Sequence, residues 1–390
     1  MSRFLVAWEF GEDLGHVRRI LPLGRALRER GHEVAFAFRD ATRLAAPARE
    51  SFAAWAAPVL RRPPAFDPAP RNAADVLLNL GFRDVASLRG VQCAWDALLE
   101  VVRPDAVIGD YAPNAMIAAS RHALPRATVG SGFALPPARD PLPAIRPGER
   151  ADEAVLRGLD DALTASVSAA VGKTPQITLE HIFRGDANLL ATWPELDPLG
   201  PRDADYLGPM GGTEGGMETA WNGAGAPRVL AYLKPRDTRF AAVLAALEAS
   251  GAQAIVAAPG MHEQDAKDRS SARVRIFPCT LRLPPLLREA DLCVGHGGPG
   301  FAADALRAGV PLLLLPMHLE QELVARRLAQ AGLAVLQLSR APEELAAALA
   351  GALDDEALHA RAHGFARELA TRSTADPAQA AAARIEALVR

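Results

Sequence analysis

The 390-residue chain has little of three features that define large protein classes: cysteine, excess positive charge and long apolar runs. Its three cysteines (Cys93, Cys279 and Cys293) are far apart and odd in number. They predict neither a disulfide framework nor a zinc site, and they favour a reducing, cytoplasmic setting. The formal net charge of −3 argues against a broad nucleic-acid surface. No run of about 18 apolar residues is present, so no stable membrane insertion is expected.

What remains is the composition of a globular protein. Apolar residues make up 49% of the chain and charged residues 23%, which is ordinary for that class. A length of 390 residues exceeds what one hydrophobic core usually fills, so two domains are expected. The segment 1–16 becomes acidic too quickly to be interpreted as a secretory signal.

Short apolar runs alternate with helical patterns from the start of the chain. Residues 3–8 and 33–38 have the pattern of buried strands, and residues 17–30 between them have that of a helix. Strand, helix and strand in this order make a βαβ unit and predict a parallel sheet. Further strands are expected at 105–109 and 126–130, with helices at 90–102, 113–122 and 151–170.

A glycine-rich stretch, 208–227, interrupts this alternation and has the composition of a linker. The alternation then restarts, with strands expected at 228–233, 254–258, 274–277, 291–295, 310–316 and 333–338 and a helix near 238–249. The chain is therefore predicted to be an α/β protein with domains at 1–207 and 228–390. A return of the last helix to the first domain is left open.

The segment VGHGGPGFAADALRAGVPLLLLP, residues 294–316, carries the strongest chemical signal. A strand ends before His296, and Gly297, Gly298 and Gly300 leave backbone amides bare where the next helix begins. Such amides attract anions, and diphosphates bind at the carboxyl edge of a parallel sheet. We expect a diphosphate here, with His296 adding a side-chain hydrogen bond. The alternative is a tight turn whose glycines serve packing alone.

Glu320 and Gln321 lie where the helix after the following strand is expected to begin. At the carboxyl edge of the sheet, they would face the same crevice as His296. A carboxylate and an amide suit the hydroxyls of a sugar, because each hydroxyl needs donor and acceptor partners. The alternative is that Glu320 only favours a helix amino terminus.

Together these segments resemble the donor-binding part of the GT-B glycosyltransferases, most closely the UDP-glycosyltransferase-like (family 1) enzymes of bacteria. The shared features are His-Gly-Gly-x-Gly, then ALRAGVPLLLLP, the Glu-Gln pair and ARRLAQAGLAV. The stretch GEDLGHVRRILPLGRALRERGHEVAF is similar to that family's Gly-His loop, helix and second strand. The likeness is specific over 4–38 and 290–335, and general in layout elsewhere.

The resemblance implies a GT-B fold, with two facing Rossmann-like domains and parallel sheets. It implies an inverting, metal-independent transfer of a sugar from a nucleotide-diphosphate sugar, UDP- or dTDP-linked, to a hydroxyl of a small acceptor. The donor would bind the carboxyl-terminal domain and the acceptor the amino-terminal one. No cofactor and no nucleic-acid partner is implied, and the identities of the sugar and the acceptor stay open.

The resemblance assigns His16 as the general base and Asp110 as the carboxylate that orients it. Independently, His16 follows a strand and begins a helix, where we expect it exposed at the sheet edge. Histidine suits removal of a hydroxyl proton near neutral pH. The alternatives are a histidine tied into a helix cap and an aspartate that caps the helix at 113–122. The predicted donor-binding residues are His296, Gly297, Gly298, Gly300, Phe301, Glu320, Gln321, Lys234 and Leu281.

Several residues depart from the family pattern and bear on the donor more than on the reaction. Phe301 stands where the family often has threonine or serine, and Lys234 where the strand usually ends in a small hydroxyl residue. Lys234 would place an ammonium near the diphosphate, or would be a solvated loop residue. Arg18 and Arg19 replace a polar residue and a proline. We interpret them as part of an exposed helix face, with recognition of an acidic acceptor as the alternative.

Two further motifs are weaker. Asp203 and Asp205 resemble an Asp-x-Asp metal motif but lie in no nucleotide-binding βαβ unit. Asp355, His359 and His363 have a helical spacing that zinc sites use, yet a fourth ligand is not evident and a solvated helix face is simpler.

Two other functions stay open: a nucleotide-sugar epimerase of the same fold and a non-catalytic, nucleotide-binding partner subunit. Tyrosine is scarce, with three residues in the chain. An aromatic acceptor pocket would therefore draw on Trp55, Trp95, Phe82 or Phe133.

Overall fold

The computed structural model describes residues 1–11, 15–61, 69–146, 148, 151–172, 176–211, 215–223, 225–372 and 375–390. The chain divides into two compact units. The first unit comprises Met1–Gly211 and Ala375–Arg390, and the second comprises Gly212–Thr374. Each contains a parallel sheet with helices, so the predicted α/β class is confirmed.

The sheet of the first unit has seven strands among the described residues. They are β1 (Arg3–Trp8), β2 (Glu33–Phe38), β3 (Ala53–Ala56), β4 (Ala106–Asp110), β5 (Arg126–Gly130), β6 (Ala187–Leu190) and β7 (Asp205–Tyr206). The helices between them are α1 (Gly15–Glu29), α2 (Ala45–Arg49), α3 (Ala73–Leu77), α4 (Val85–Val102), α5 (Pro113–Arg121), α6 (Glu153–Val171) and α7 (Leu179–Phe183).

The sheet of the second unit has six strands in the part of the chain that is described. They are β8 (Arg228–Tyr232), β9 (Gln253–Ala257), β10 (Val274–Phe277), β11 (Leu292–Gly295), β12 (Leu312–Leu314) and β13 (Ala334–Leu336). The helices are α8 (Phe240–Ala249), α9 (Glu263–Arg269), α10 (Leu283–Leu287), α11 (Pro299–Arg307), α12 (Leu319–Gln330), α13 (Pro342–Asp354) and α14 (Glu356–Thr371).

β1 shows why the central strands are continuous apolar runs rather than alternating ones. Phe4, Val6 and Trp8 pack in the core cluster that contains α1, on one face of the sheet. Leu5 and Ala7 pack in the cluster that contains α4 and α5, on the other face. A strand buried on both faces has no position for a polar side chain.

Both sheets reverse their strand order at one place. The order is β3-β2-β1-β4-β5-β6-β7 in the first sheet and β10-β9-β8-β11-β12-β13 in the second. The reversal lies between β1 and β4, and between β8 and β11. At such a point the connections diverge to opposite faces and leave a crevice outside the carboxyl ends of the strands.

The glycine-rich stretch expected to be a linker is packed in part. Met217 forms a backbone bridge with Leu281, and the indole Nε1 of Trp221 donates to the Leu286 carbonyl at 3.1 Å. Gly216 has φ +124°, and a Cβ there would lie 2.5 Å from the carbonyl carbon of Leu281. This glycine is required for close backbone approach, so the stretch is not only a flexible spacer.

The last α-helix of the described residues, α15 (Pro377–Glu386), belongs to the first unit. Ala381, Ala382 and Ile385 are buried in the same core cluster as α1. Arg30, just after α1, donates from Nε to Glu386 at 2.8 Å. None of the helices in the described ranges is long and apolar enough to cross a membrane.

The contact between α1 and the sheet leads to a prediction about two helical glycines. Gly24 in α1 faces the sheet, and a Cβ there would lie 2.4 Å from Cζ of the buried Phe36. Gly90 in α4 is exposed and has open space around it. We expect Gly24→Ala to lower the free energy of unfolding by about 1–3 kcal/mol through overpacking. Gly90→Ala is expected to raise it by about 0.5–1 kcal/mol. Urea denaturation followed by circular dichroism measures both, and shifts of the same sign would contradict this packing.

Candidate functional site

The point of strand-order reversal in the first sheet holds a cluster of three polar side chains. His16 lies in the first turn of α1, and Asp110 is the last residue of β4. Nδ1 of His16 lies 3.1 Å from Oδ2 of Asp110. Arg19, one turn further along α1, donates from Nε to the same oxygen at 3.0 Å. The structure therefore brings the two predicted residues together and adds an arginine to them.

This cluster is buried, which differs from the exposed His16 and the exposed arginine face expected from the sequence. His16 and Arg19 are each 9% exposed and Asp110 is 1% exposed, while Arg18 is half-buried. The cause is that the first turn of α1 packs on the end of β1. The imidazole of His16 stacks on the indole of Trp8, with ring centroids 5.0 Å apart and 16° between the planes.

The backbone of Gly11 lies close to Nε2, the other ring nitrogen of His16. A Cβ at Gly11 would lie 2.2 Å from Nε2, and the residue has φ +87°. Both the space and the backbone conformation therefore require glycine. The Gly-His loop also includes residues 12–14, which lie outside the described residues.

Asp110 is held as a carboxylate by its two neighbours. Burial opposes its ionised form, but the charges of Arg19 and His16, with their hydrogen bonds, outweigh burial and lower the pKa of Asp110 below its ordinary value. A buried carboxylate beside an arginine keeps its charge at neutral pH.

Glu9 is a buried acid at the same sheet edge that sequence reasoning missed. It is fully buried, and its carboxylate accepts from Ala115 N at 2.6 Å, Asn114 Nδ2 at 2.7 Å and Asn114 N at 3.2 Å. Burial raises the pKa of Glu9 to about 8, against the effect of these hydrogen bonds. Its contacts tie the loop after β1 to the first turn of α5. The only sequence signal was an acid directly after an apolar strand.

Of the four aromatic residues expected near an acceptor, two are in the core. Trp95 and Phe82 are fully buried, so they cannot line an open pocket. Trp55 and Phe133 are half-buried. Phe133 meets Tyr111 edge-on, with ring centroids 6.1 Å apart, just after β4 and β5 end.

In the second unit, the glycines after β11 have two distinct functions. Gly297 has φ +84°, and a Cβ there would lie 2.9 Å from the carbonyl oxygen of Gln321. It is therefore needed for the turn and for the close approach of α12. Gly298 caps α11 without a side-chain hydrogen bond, and a Cβ at Gly298 or Gly300 would meet open space. The positions that side chains would occupy at the start of this helix are therefore empty, and helix starts of this kind attract anions.

His296 uses both ring nitrogens within the chain, which differs from the phosphate contact expected from the sequence. Nε2 accepts from the backbone N–H of Lys234 at 2.9 Å, so the ring proton is on Nδ1, which donates to the Leu315 carbonyl at 2.9 Å. The side chain connects the loops after β8, β11 and β12. Burial lowers the pKa of His296, which keeps it neutral. A neutral ring whose Nε2 accepts a hydrogen bond has no proton there for a phosphate.

A buried ion pair supports the same three loops. Arg239 donates to Asp237 and, from Nη2, to the carbonyls of Leu315 and Pro316 at 2.9 Å each. Asp237 Oδ2 also lies 3.5 Å from Nδ1 of His296. Burial opposes ionisation of Asp237, but the hydrogen bonds and charge of Arg239 lower its pKa overall. Nothing in the sequence after β8 indicated that Asp237 and Arg239 form a buried ion pair.

Glu320 and Gln321 lie at the start of α12, as predicted. Gln321 is 5% exposed, and its Oε1 accepts from Met317 N at 2.9 Å. This bond fixes the turn after β12, while Glu320 and Lys234 are half-buried.

Phe301 and Leu281 differ in their access to a ligand. The half-buried Phe301 ring lies 5.8 Å from that of Tyr232, centroid to centroid, and packs over Gly295. Leu281 is 1% exposed. Its side chain therefore packs in the core, and the expected donor contact from it is not supported by its position.

The weaker metal motifs have structural explanations. Asp205 pairs with Arg384 at 2.7 Å. Asp355 caps α14 by accepting from Leu358 N at 2.9 Å, and Nε2 of His359 lies 3.2 Å from the carbonyl oxygen of Ala352. In the described ranges, no group of three or more His, Cys, Asp or Glu side chains is placed to hold a metal ion.

Sequence comparison relates the carboxyl-terminal part of the chain to known proteins. Residues 241–388 match a family described as erythromycin biosynthesis protein CIII-like, C-terminal domain. The NDP-glycosyltransferase YjiC of Bacillus subtilis is 34% identical over 111 residues, which are 27% of this chain and 26% of YjiC. The chain thus matches about a quarter of the length of this relative.

Structural comparison relates the whole chain to solved glycosyltransferases. The glycosyltransferase of kitacinnamycin has a TM-score of 0.72 and 20% identity, covering 100% of this chain and 99% of its own. Glycosyltransferase VinC in complex with dTDP has a TM-score of 0.70 and 20% identity, covering 99% of both chains. These likenesses confirm the GT-B fold with two Rossmann-like domains. With the sequence matches, they confirm the resemblance to bacterial family 1-like glycosyltransferases.

The buried, neutral His296 leads to a prediction about acid stability. Its pKa is lowered in the folded chain, so the unfolded chain takes up this proton first as the pH falls. The free energy of unfolding of the second unit is therefore expected to decrease as the pH falls below about 6.5. His296→Gln should cost about 1–3 kcal/mol at pH 7.5 through an unpaired buried group, and should flatten the decline towards pH 5. Urea denaturation at both pH values measures this, with the exposed His122→Gln as control. An equal decline in wild type and His296→Gln would contradict the assignment.

Proposed function

We propose that the protein is an inverting glycosyltransferase that moves a sugar from a nucleotide-diphosphate sugar to a hydroxyl of a small-molecule acceptor. One observation carries the proposal: each sheet has functional groups at its strand-order reversal, and each set suits one half of this reaction. The second sheet presents the glycine-rich start of α11 and the loop that carries Lys234, joined through His296, and the first presents the His16–Asp110 pair. The sequence match to an NDP-glycosyltransferase supports the same reaction class.

For the donor half, the backbone amides at the start of α11 bind the diphosphate. The backbone N–H of Lys234 donates to His296, so His296 fixes the loop that carries Lys234. The ammonium of Lys234 adds positive charge to this region. His296 acts as a positioning residue that fixes the loops around the phosphate. Glu320 at the start of α12 is assigned to the sugar hydroxyls, while Gln321, whose Oε1 accepts from Met317 N, positions this helix start. The solved neighbour VinC was found with dTDP, so dTDP- and UDP-sugars are the first donors to test.

For the acceptor half, Nε2 of His16 takes the proton from the acceptor hydroxyl. The hydroxyl oxygen attacks the anomeric carbon as the bond from that carbon to the diphosphate oxygen breaks, so the configuration inverts. The proton stays on the imidazole, and Asp110 stabilises the imidazolium through Nδ1. The electron pair leaves with the nucleoside diphosphate, whose developing charge the amides and Lys234 stabilise without a metal ion.

The reaction is tested by incubating the protein with UDP- and dTDP-sugars, first alone and then with a panel of hydroxylated acceptors. Mass spectrometry identifies the products. A glycosylated acceptor with inverted anomeric configuration is the expected result. A changed sugar nucleotide without acceptor would indicate an epimerase. Nucleotide binding without any turnover would indicate a non-catalytic subunit.

The glycine-rich start of α11 predicts that diphosphates stabilise the protein more than nucleosides do. We expect dTDP or UDP to raise the melting temperature, and thymidine or uridine to have little effect, because the site binds phosphate. Lys234→Met should reduce the shift caused by the diphosphates. The matched control is Lys267→Met, which removes an exposed lysine of α9 and should leave the shift unchanged. Equal shifts with nucleoside and diphosphate would reject the phosphate site.

The separate assignments of His16 and Lys234 predict different kinetic losses. His16→Ala should lower kcat by about 10²–10⁴-fold, because a general base is removed, and should leave dTDP affinity nearly unchanged. Lys234→Met should weaken dTDP binding by about tenfold or more, the worth of a hydrogen bond to a charged group. Calorimetric titration and initial rates give both quantities, with His122→Ala as a surface control. If His16→Ala abolished dTDP binding while Lys234→Met did not affect it, the assignments would be reversed.

A further inference from the structure

Nδ1 of His16 has two neighbours that require opposite protonation states. Oδ2 of Asp110, at 3.1 Å, is an acceptor, so it requires a proton on Nδ1. Nη2 of Arg19, at 3.2 Å, is only a donor, so it requires a bare Nδ1. One nitrogen cannot satisfy both neighbours at the same time. The neutral ring therefore has two tautomers, each favoured by one partner.

We propose that Arg19 is a positioning residue that competes with Asp110 for Nδ1 and so controls how much of the resting His16 can act as a base. When Nδ1 donates to Asp110, Nε2 has a free lone pair that can take a proton. When Arg19 donates to Nδ1, Nε2 carries the ring proton and cannot take another. The consequence for catalysis rests on the proposed function, but the competition itself does not.

The two contacts to Nδ1 are similar in length, the one to Arg19 with the geometry of a hydrogen bond and the one to Asp110 as an ion pair. Both contacts to Nδ1 involve a charged partner, and their lengths differ by 0.1 Å. Nε of Arg19 donates to Asp110 at 3.0 Å, and this bond does not involve Nδ1. In the tautomer with a proton on Nδ1, Nη2 must turn away from Nδ1, because two donors cannot bond to each other. Arg19 is 9% exposed, so water competes little for its Nη2.

The charge of Arg19 acts in the same direction. Asp110 alone would stabilise the imidazolium that forms when His16 accepts a proton. Arg19 pairs with the same carboxylate oxygen and offsets its negative charge. The arginine therefore disfavours the base-competent tautomer. A proline at this position, as in the family that the chain resembles, has no side-chain donor and cannot compete for Nδ1.

The tautomers are measured directly by long-range ¹H–¹⁵N spectra of the full chain at a pH where the ring is neutral. The His16 signals are those lost in His16→Gln. We expect Arg19→Met to raise the ratio of the Nδ1–H to the Nε2–H tautomer by about tenfold or more, the worth of one charge-assisted hydrogen bond. Asp110→Asn should move the ratio in the opposite direction. Arg18→Met, which removes the same charge one position earlier on α1, should leave the ratio unchanged.

Arg19→Lys distinguishes the effect of the planar guanidinium geometry from the effect of the positive charge. It keeps the cation but cannot bridge two atoms with fixed geometry, so its ratio should approach that of Arg19→Met. An unchanged ratio in Arg19→Met, or an equal change in Arg18→Met, would overturn the proposal. If Arg19→Met did not fold, Arg19→Lys and Asp110→Asn would still decide it through the direction of their shifts.

The catalytic consequence is measured separately, by kcat with any donor and acceptor found active. Arg19→Met should raise kcat by several-fold and leave dTDP affinity unchanged. A merely structural role for Arg19 would lower kcat instead, and would leave the tautomer ratio unmoved. A tautomer response without transfer to any acceptor would retain the positioning role and reject the proposed function.

Discussion

The chemistry of both units depends on one constraint, which is that parallel strands deliver their carboxyl ends to the same edge of a sheet. In each sheet the strand order reverses once, between β1 and β4 or between β8 and β11. The loops that follow these neighbouring strands must meet there. Trp8 pairs with Asp110, and Tyr232 pairs with Gly295, so the residues just beyond them are adjacent although they are distant in sequence. The reversal therefore selects which residues can form a site.

The two sites are held together by different forces. In the second unit, His296 and the Asp237–Arg239 pair bind backbone carbonyls and amides, so the loops are fixed independently of any ligand. In the first unit, His16, Arg19 and Asp110 bind one another through their side chains. Backbone bonds give one fixed arrangement, whereas the ring of His16 can carry its proton on either nitrogen. This difference suits the anion binding proposed for one unit and the proton transfer proposed for the other.

The sequence predicted ten of the described strands and missed β3, β6 and β7. The bounds expected for β1, β2 and β10 agree with the structure, because buried strands flanked by turn signals have a distinct pattern. β3 reads Ala-Ala-Trp-Ala, and β7 has two residues, so neither has enough length to show a period. The meeting of His16 and Asp110 followed from their family motif. The burial of Leu281, the pairing of His296 and the role of Arg19 depend on side-chain distances, which no residue spacing specifies.

The position of α15 has a consequence for how the chain acquires its structure during synthesis. Along the sequence, the second unit is inserted between two segments of the first. Ala381 and Ile385 of α15 are fully buried in the core that also holds α1. The second unit is therefore complete in sequence before the first one is. As the chain leaves the ribosome, the amino-terminal sheet must wait with its α1 face partly uncovered until the last helix emerges. The first unit, whose synthesis begins first, therefore completes its hydrophobic core last.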